Sequence, residues 1–162
     1  MKKTTASNHT PVIASKNYDK IDGRFARNTD ATCLSLGVSQ SSDNRKADIS
    51  AKVWRNTENP EENGSVQADE LPLHRVLDLS ILICRSLAHF RDAYRYEHLY
   101  DLQQPVIERI GLQGDAMTVA VCTDNENING DMKRFSQALS NDDELIGERL
   151  RTLSRLLKEM GY

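Results

Sequence analysis

Aromatic side chains are scarce in this chain, with three Phe, five Tyr and one Trp among 162 residues. So few large rings leave material for one modest core. Cysteine is scarcer still: Cys33, Cys84 and Cys122 are an odd number at wide spacing, which excludes a disulfide scaffold. Each lies in an apolar-patterned stretch, so the expectation is buried, reduced thiols in the cytoplasm. No sign of charge dominates, with 21 basic and 24 acidic residues and a net charge of −3, so the total gives no footprint for nucleic acid. Long apolar runs are missing too. The longest, at 79–84, is broken by Ser80 and falls far short of the roughly 18 residues a membrane span needs. After Met1-Lys2-Lys3, residues 4–10 are polar where an export signal would be apolar. These absences predict a soluble, unexported chain with neither a membrane nor a nucleic-acid partner.

What is present is charge in blocks and a legible hydropathy pattern. Residues 1–57 hold ten basic and five acidic groups, whereas 58–74 hold five acidic and no basic ones. The first ten residues read as a disordered lead, and 11–162 as a single α+β domain. From Pro11 to Asp30 apolar residues are sparse, which predicts an extended segment with a short strand near 12–14. Alternation with a period of two then begins. Leu34, Leu36 and Val38 share one face, and Cys33, Ser35, Gly37 and Ser39 the other. After a polar loop at 41–46, Ala47, Ile49, Ala51 and Val53 oppose Asp48, Ser50, Lys52 and Trp54. Two such runs around a polar loop predict an antiparallel hairpin.

Beyond a loop at 56–69, apolar residues recur every three or four positions from Leu73 to Tyr94, behind Pro72 at the first helical position. This predicts a long central helix over 72–94. Pro105 and Gly111 bracket a short predicted helix. Residues 117–123 carry no charge on either face and predict a third strand, covered on both sides. Helices follow over 130–139 and from Asn141, the last with Asn141 as N-cap, Glu144 three residues on and Gly161 as its stop. The predicted order is β-β-α-α-β-α-α. It defines an α+β fold in which a small, mainly antiparallel sheet of three or four strands is packed by the long central helix and a C-terminal αα-hairpin.

Ile146-Gly-Glu-Arg-Leu-Arg-Thr-Leu is similar to the opening helix of repressor-type helix-turn-helix domains. Its surroundings, four basic against five acidic groups over 141–162, leave no phosphate footprint. The pattern points instead to packing on the core or against a twin. Residues 142–160 are therefore the candidate surface for a homo-oligomer or a protein partner. His74, His89 and His98 are too widely spaced for a metal site. Gly111-Leu-Gln-Gly114 precedes a strand rather than opening a helix, so no phosphate cradle is read there and no cofactor is expected.

Four candidate ligand-binding residues remain. Arg24 and Arg27, three apart beside Gly23 and flanking carboxylates, suit an anionic ligand or an acidic partner. The acidic 58–70 loop of the same chain would suit them as an internal partner. Asp115 and Asp124 flank the 117–123 strand, and Cys122-Thr123-Asp124 stands where a strand gives way to a loop, a position both rigid and exposed. No catalytic signature accompanies them. The sequence thus reads as a small cytoplasmic non-enzymatic binding protein, for a protein partner or a small anionic ligand. The alternative is a small enzyme acting on an anionic substrate, with Asp124 and Cys122 at a strand end; convergence of Arg24 and Arg27 on them would favour it.

Overall fold

The computed structural model describes residues 9–40, 47–55 and 68–162. The chain divides into two compact units, 1–80 and 81–162. The fold is α+β, with a four-stranded antiparallel sheet in the first unit, a two-stranded sheet in the second, and helices.

In the first unit, β1 (His9–Ala14), β2 (Ala31–Gln40), β3 (Ala47–Arg55) and β4 (Ala68–Pro72) pair in that order, each antiparallel to its neighbour. The expected hairpin is β2–β3, with Ser35 opposite Lys52, Gly37 opposite Ser50 and Val38 opposite Ile49. Its connecting loop at 41–46 lies outside the described residues, as do 1–8 of the expected lead; His9 and Thr10 already belong to β1. β1 is an edge strand, which is why it tolerates Pro11, a residue with no amide proton to donate to the ladder. The register shifts between Pro11 and Ile13. The 11–30 stretch is less extended than its sparse apolar content suggests: β1 is followed by two 3-10 turns, Tyr18–Lys20 and Gly23–Asn28. Gly23 opens the second with φ +55, a left-handed conformation that glycine adopts without steric cost.

The two faces of this sheet are buried in an unusual sense. An alternating strand ordinarily hides its apolar side. Apart from Ala31 at the start of β2, the buried positions here are Ser35, Gly37, Ser50, Lys52 and His9, all on the polar side. On the other side Leu36, Ile49 and Leu71 are exposed, while Leu34, Val38, Ala51 and Val53 are half-buried. Small side chains on the polar face leave room for the His9 ring to cross from β1 over Gly37. Its Nδ1 lies 2.6 Å from Ser50 Oγ and its Nε2 2.9 Å from Ser35 Oγ. Trp54 Nε1 donates to Ser35 Oγ at 3.0 Å, and Lys52 Nζ sits 4.2 Å from the Trp54 ring centre. Glu70, directly opposite Lys52 on β4, approaches His9 Nδ1 to 3.9 Å. A polar face can be buried when its groups satisfy one another, and these do.

α1 (Leu73–Asp92) follows β4 directly, beginning at the residue after Pro72, and the division between units falls within it. The second unit continues with a 3-10 turn at Ala93–Arg95, β5 (Val106–Gly111), β6 (Ala116–Ala120), α2 (Ile128–Asn141) and α3 (Asp143–Glu159). Two expectations are corrected here. Residues 105–111 hold a strand rather than a helix, because Val106, Ile107 and Ile110 are β-branched and a stretch this short cannot nucleate a helix without help. The uncharged 117–123 segment does not enter the main sheet. It pairs with β5 as a hairpin, Arg109 opposite Thr118 and Ile110 opposite Met117, with Val119 buried while Thr118 and Ala120 stay exposed.

Ala93, Tyr100, Val119 and Met132 are the buried apolar positions of this unit. Phe90 and Phe135 join α1 to α2 at 5.0 Å between ring centres. α2 and α3 are separated by Asp142 alone, so the expected capping box is not built. Asn141 is still the last residue of α2, where its side-chain oxygen accepts from Gln137 Nε2 at 3.1 Å. Asp142 takes the N-cap position instead. The far end stops as the sequence predicts. Gly161 turns left-handed at φ +93, and Tyr162 N–H returns to the Leu157 carbonyl.

Candidate functional site

Arg24 and Arg27 lie on the second 3-10 turn of the first unit, both exposed. The Arg24 guanidinium sits 4.8 Å from the Phe25 ring centre, and the neighbouring Asp22 carboxylate accepts from the Thr29 hydroxyl at 3.0 Å. Most of the acidic 58–70 loop is outside the described residues. Its last members, Asp69 and Glu70, are on β4 and face other groups. Asp69 accepts from Arg55 Nε at 2.6 Å, and the same guanidinium reaches Asp30 at 2.5 Å. The hydrogen bond and charge of Asp69, with Asp30 behind them, hold Arg55 above the usual arginine range.

Asp115 and Asp124 belong to the second unit and stand beyond opposite ends of β6. The Asp115 carboxylate accepts from its neighbouring Ala116 N–H at 2.6 Å and lies 3.9 Å from Arg109. Asp124 is exposed in the turn before α2. β6 therefore holds these two carboxylates apart. The thiols also differ from expectation. Cys33 is half-buried, its S–H directed at the Ser15 and Leu34 carbonyls, whereas Cys84 and Cys122 are exposed. Cys122 lies just past the end of β6, beyond the stretch that the hairpin partner covers.

Two features of the second unit gather chemistry more effectively. The first is a cleft of about 290 Å³ between the end of α1, the following turn and β5. Its charged lining comprises Arg85 and Arg95 against Asp92 and Asp101, joined by His89, Tyr96 and Tyr100. His89 Nε2 donates to the Leu99 carbonyl at 3.0 Å and so pins the loop that forms one wall. Leu99 has φ +67, a left-handed conformation that is costly for a leucine and persists only where its surroundings enforce it. Asp101 steadies the same loop by accepting from Gln103 N–H at 2.9 Å, and Tyr100 O–H reaches Asn129 at the start of α2. Arg85 Nε is closed off from solvent and is ion-paired with Glu108, 2.5 Å from its Oε2. The sequence carries one signal for this cleft, the basic last third of the 72–94 helix with His89 interleaved. The opposite wall comes from a segment whose punctuation suggests helix.

The second feature is α3. Its first turns close a cavity of about 330 Å³ with α1 and α2, lined by Leu87, Phe90, Leu139, Ile146 and Leu150. From Arg151 to Tyr162 every residue is exposed. Among the described residues no group of three His, Cys, Asp or Glu side chains is placed to hold a metal ion, and no helix is long and apolar enough to cross a membrane.

The architecture is therefore an α+β protein with a sheet unit and a helical unit that carries a polar cleft and a bare terminal helix. The chain belongs to the family of unknown function DUF6530, which matches residues 1–162. No curated protein and no solved structure matches it.

Proposed function

We propose that this chain is a non-enzymatic protein-binding module of the cytoplasm that pairs with a second copy of itself through the C-terminal half of α3. The observation that carries the reading is an apolar seam that outruns its own packing. Ile146 and Leu150 face the cavity against α1 and α2. Leu153, Leu157 and Met160, the next residues on the same four-and-three spacing, are 41%, 41% and 69% exposed. Covering side chains of this size is worth about 1.5–3 kcal/mol each when burial is complete.

The neighbours of the seam suit a like helix. In a heptad frame with Leu150 and Leu157 at the a positions, the e position of the exposed half is Ser154, small enough for a second backbone to come close. Arg151, Arg155, Lys158 and Glu159 occupy b, c and f positions, and Arg155 is already paired with Glu159 at 2.6 Å. Apart from Arg149 at a g position, like charges are thereby kept off a two-fold contact in which the same strip meets itself. Three free thiols, two of them exposed, suit a reducing compartment.

A pair of variants tests this. Leu157→Asp is expected to keep helix content and thermal midpoint while turning dimer into monomer, read by light scattering after size exclusion. Leu150→Asp places a charge in the cavity lining and is expected to unfold the helical unit. Wild-type chain that remains monomeric at millimolar concentration overturns the reading, and so does a dimer that survives Leu157→Asp.

A further inference from the structure

The cleft between α1 and β5 is independent of the α3 seam, and its chemistry is specific. Four charged residues line it, two arginines and two aspartates. A dianion entering there would meet Asp92 and Asp101; a simple cation would meet Arg85 and Arg95. Either ligand is placed beside two groups of its own sign as well as two of the opposite one, so the repulsion offsets the attraction. A molecule that carries both signs satisfies all four.

The internal pairings leave room for such a guest. Arg95 Nη2 is 3.9 Å from Asp92, both side chains more than half exposed, a loose pairing of the kind that contributes little and is readily exchanged. Arg85 is ion-paired with Glu108 through Nε, and its side chain stays 35% exposed, so a ligand carboxylate would add to that pairing through the other nitrogens of the guanidinium. At about 290 Å³ the cleft lies at the small end of ligand sites, and its walls are predominantly polar. The His89–Leu99 bond and the strained Leu99 backbone fix one wall before any ligand arrives, so little ordering cost falls on binding.

The geometry points to a binding site for a zwitterion of amino-acid size, its carboxylate against Arg85 and Arg95 and its ammonium against Asp92 and Asp101. The Tyr96 and Tyr100 rings and the Val106–Ile107 edge receive the remainder of the molecule.

The probes are the free proteinogenic amino acids, screened at millimolar concentration by thermal shift on the full chain and followed by calorimetric titration. At least one is expected to raise the melting temperature with saturating dose dependence. Its N-acetyl and its carboxamide forms, each lacking one charge, are expected to bind about tenfold more weakly or worse. Arg95→Ala and Asp101→Asn are each expected to weaken binding by a similar factor. The asparagine retains the acceptor for Gln103 N–H, so circular dichroism should show an intact fold. A screen in which no free amino acid binds overturns the proposal. So does equal binding of the acetylated or amidated forms, or unchanged affinity in both folded variants.

Discussion

Gly37→Ala is expected to destabilise the sheet unit by about 3 kcal/mol or more and to loosen β1 from β2. A methyl group at this position would overlap the Thr10 carbonyl oxygen, well inside the sum of their van der Waals radii, and lie 2.8 Å from His9 Cε1. The first obstacle is backbone, so no rotamer change relieves it. To make space β1 must withdraw, which breaks the ladder and pulls the His9 ring from between Ser35 and Ser50. Two buried hydroxyls would then lose a partner, each at a cost of about 1–3 kcal/mol. Urea denaturation of the pure variant checks the magnitude, and hydrogen exchange at β1 and β2 amides checks the location. A loss below about 1 kcal/mol would mean that β1 is not seated as described.

Tyr100→Ala is expected to cost about 3–5 kcal/mol, the usual range for removing a buried large ring. Tyr100 is 5% exposed and ties the loop after α1 to Asn129 at the start of α2. Tyr100→Phe separates ring from hydroxyl. The bond to Asn129 is long at 3.3 Å, so its loss is expected to cost about 1 kcal/mol or less. Chemical denaturation monitored through the helical signal gives both values. Equal effects of the two substitutions would show that the hydroxyl, not the ring, carries the packing.

Much of the architecture is legible in the sequence because local and global preferences agree. The alternation at 33–39 and 47–54 places β2 and β3 and even their facing, since a period of two admits one pairing of sides. Likewise the three-four spacing of α1 and α3, and Gly161 at the end of α3, need only local rules. The failures have physical causes. Residues 105–111 resemble a helix through Pro105 and Gly111, but those punctuation marks serve a strand as well, and the deciding partner is β6, a tertiary fact. The capping box at 141–144 fails because α2 extends to Asn141 and claims it. His9 reads as part of a polar lead, because its value depends on Gly37, Ser35 and Ser50, which are brought to it only by strand pairing. Arg24, Arg27, Asp115 and Asp124 stand out through their proximity to turns along the chain. The cleft instead collects Arg85, Arg95, Asp92 and Asp101 across a helix end and a loop, and spacing along one chain segment cannot reveal that.

The inward-facing imidazole, hydroxyls and ammonium of the four-stranded sheet also set its thermal behaviour. Heat capacity rises on unfolding when apolar surface is hydrated and falls when polar surface is. Melting this sheet uncovers Ser35, Ser50, Lys52 and His9, whereas much of its aliphatic side is wet from the start. Scanning calorimetry should therefore give an increment per residue below the common value of about 12–15 cal/mol/K. A smaller increment flattens the stability curve, so stability should decline more gently on cooling and cold-induced unfolding should retreat to lower temperature.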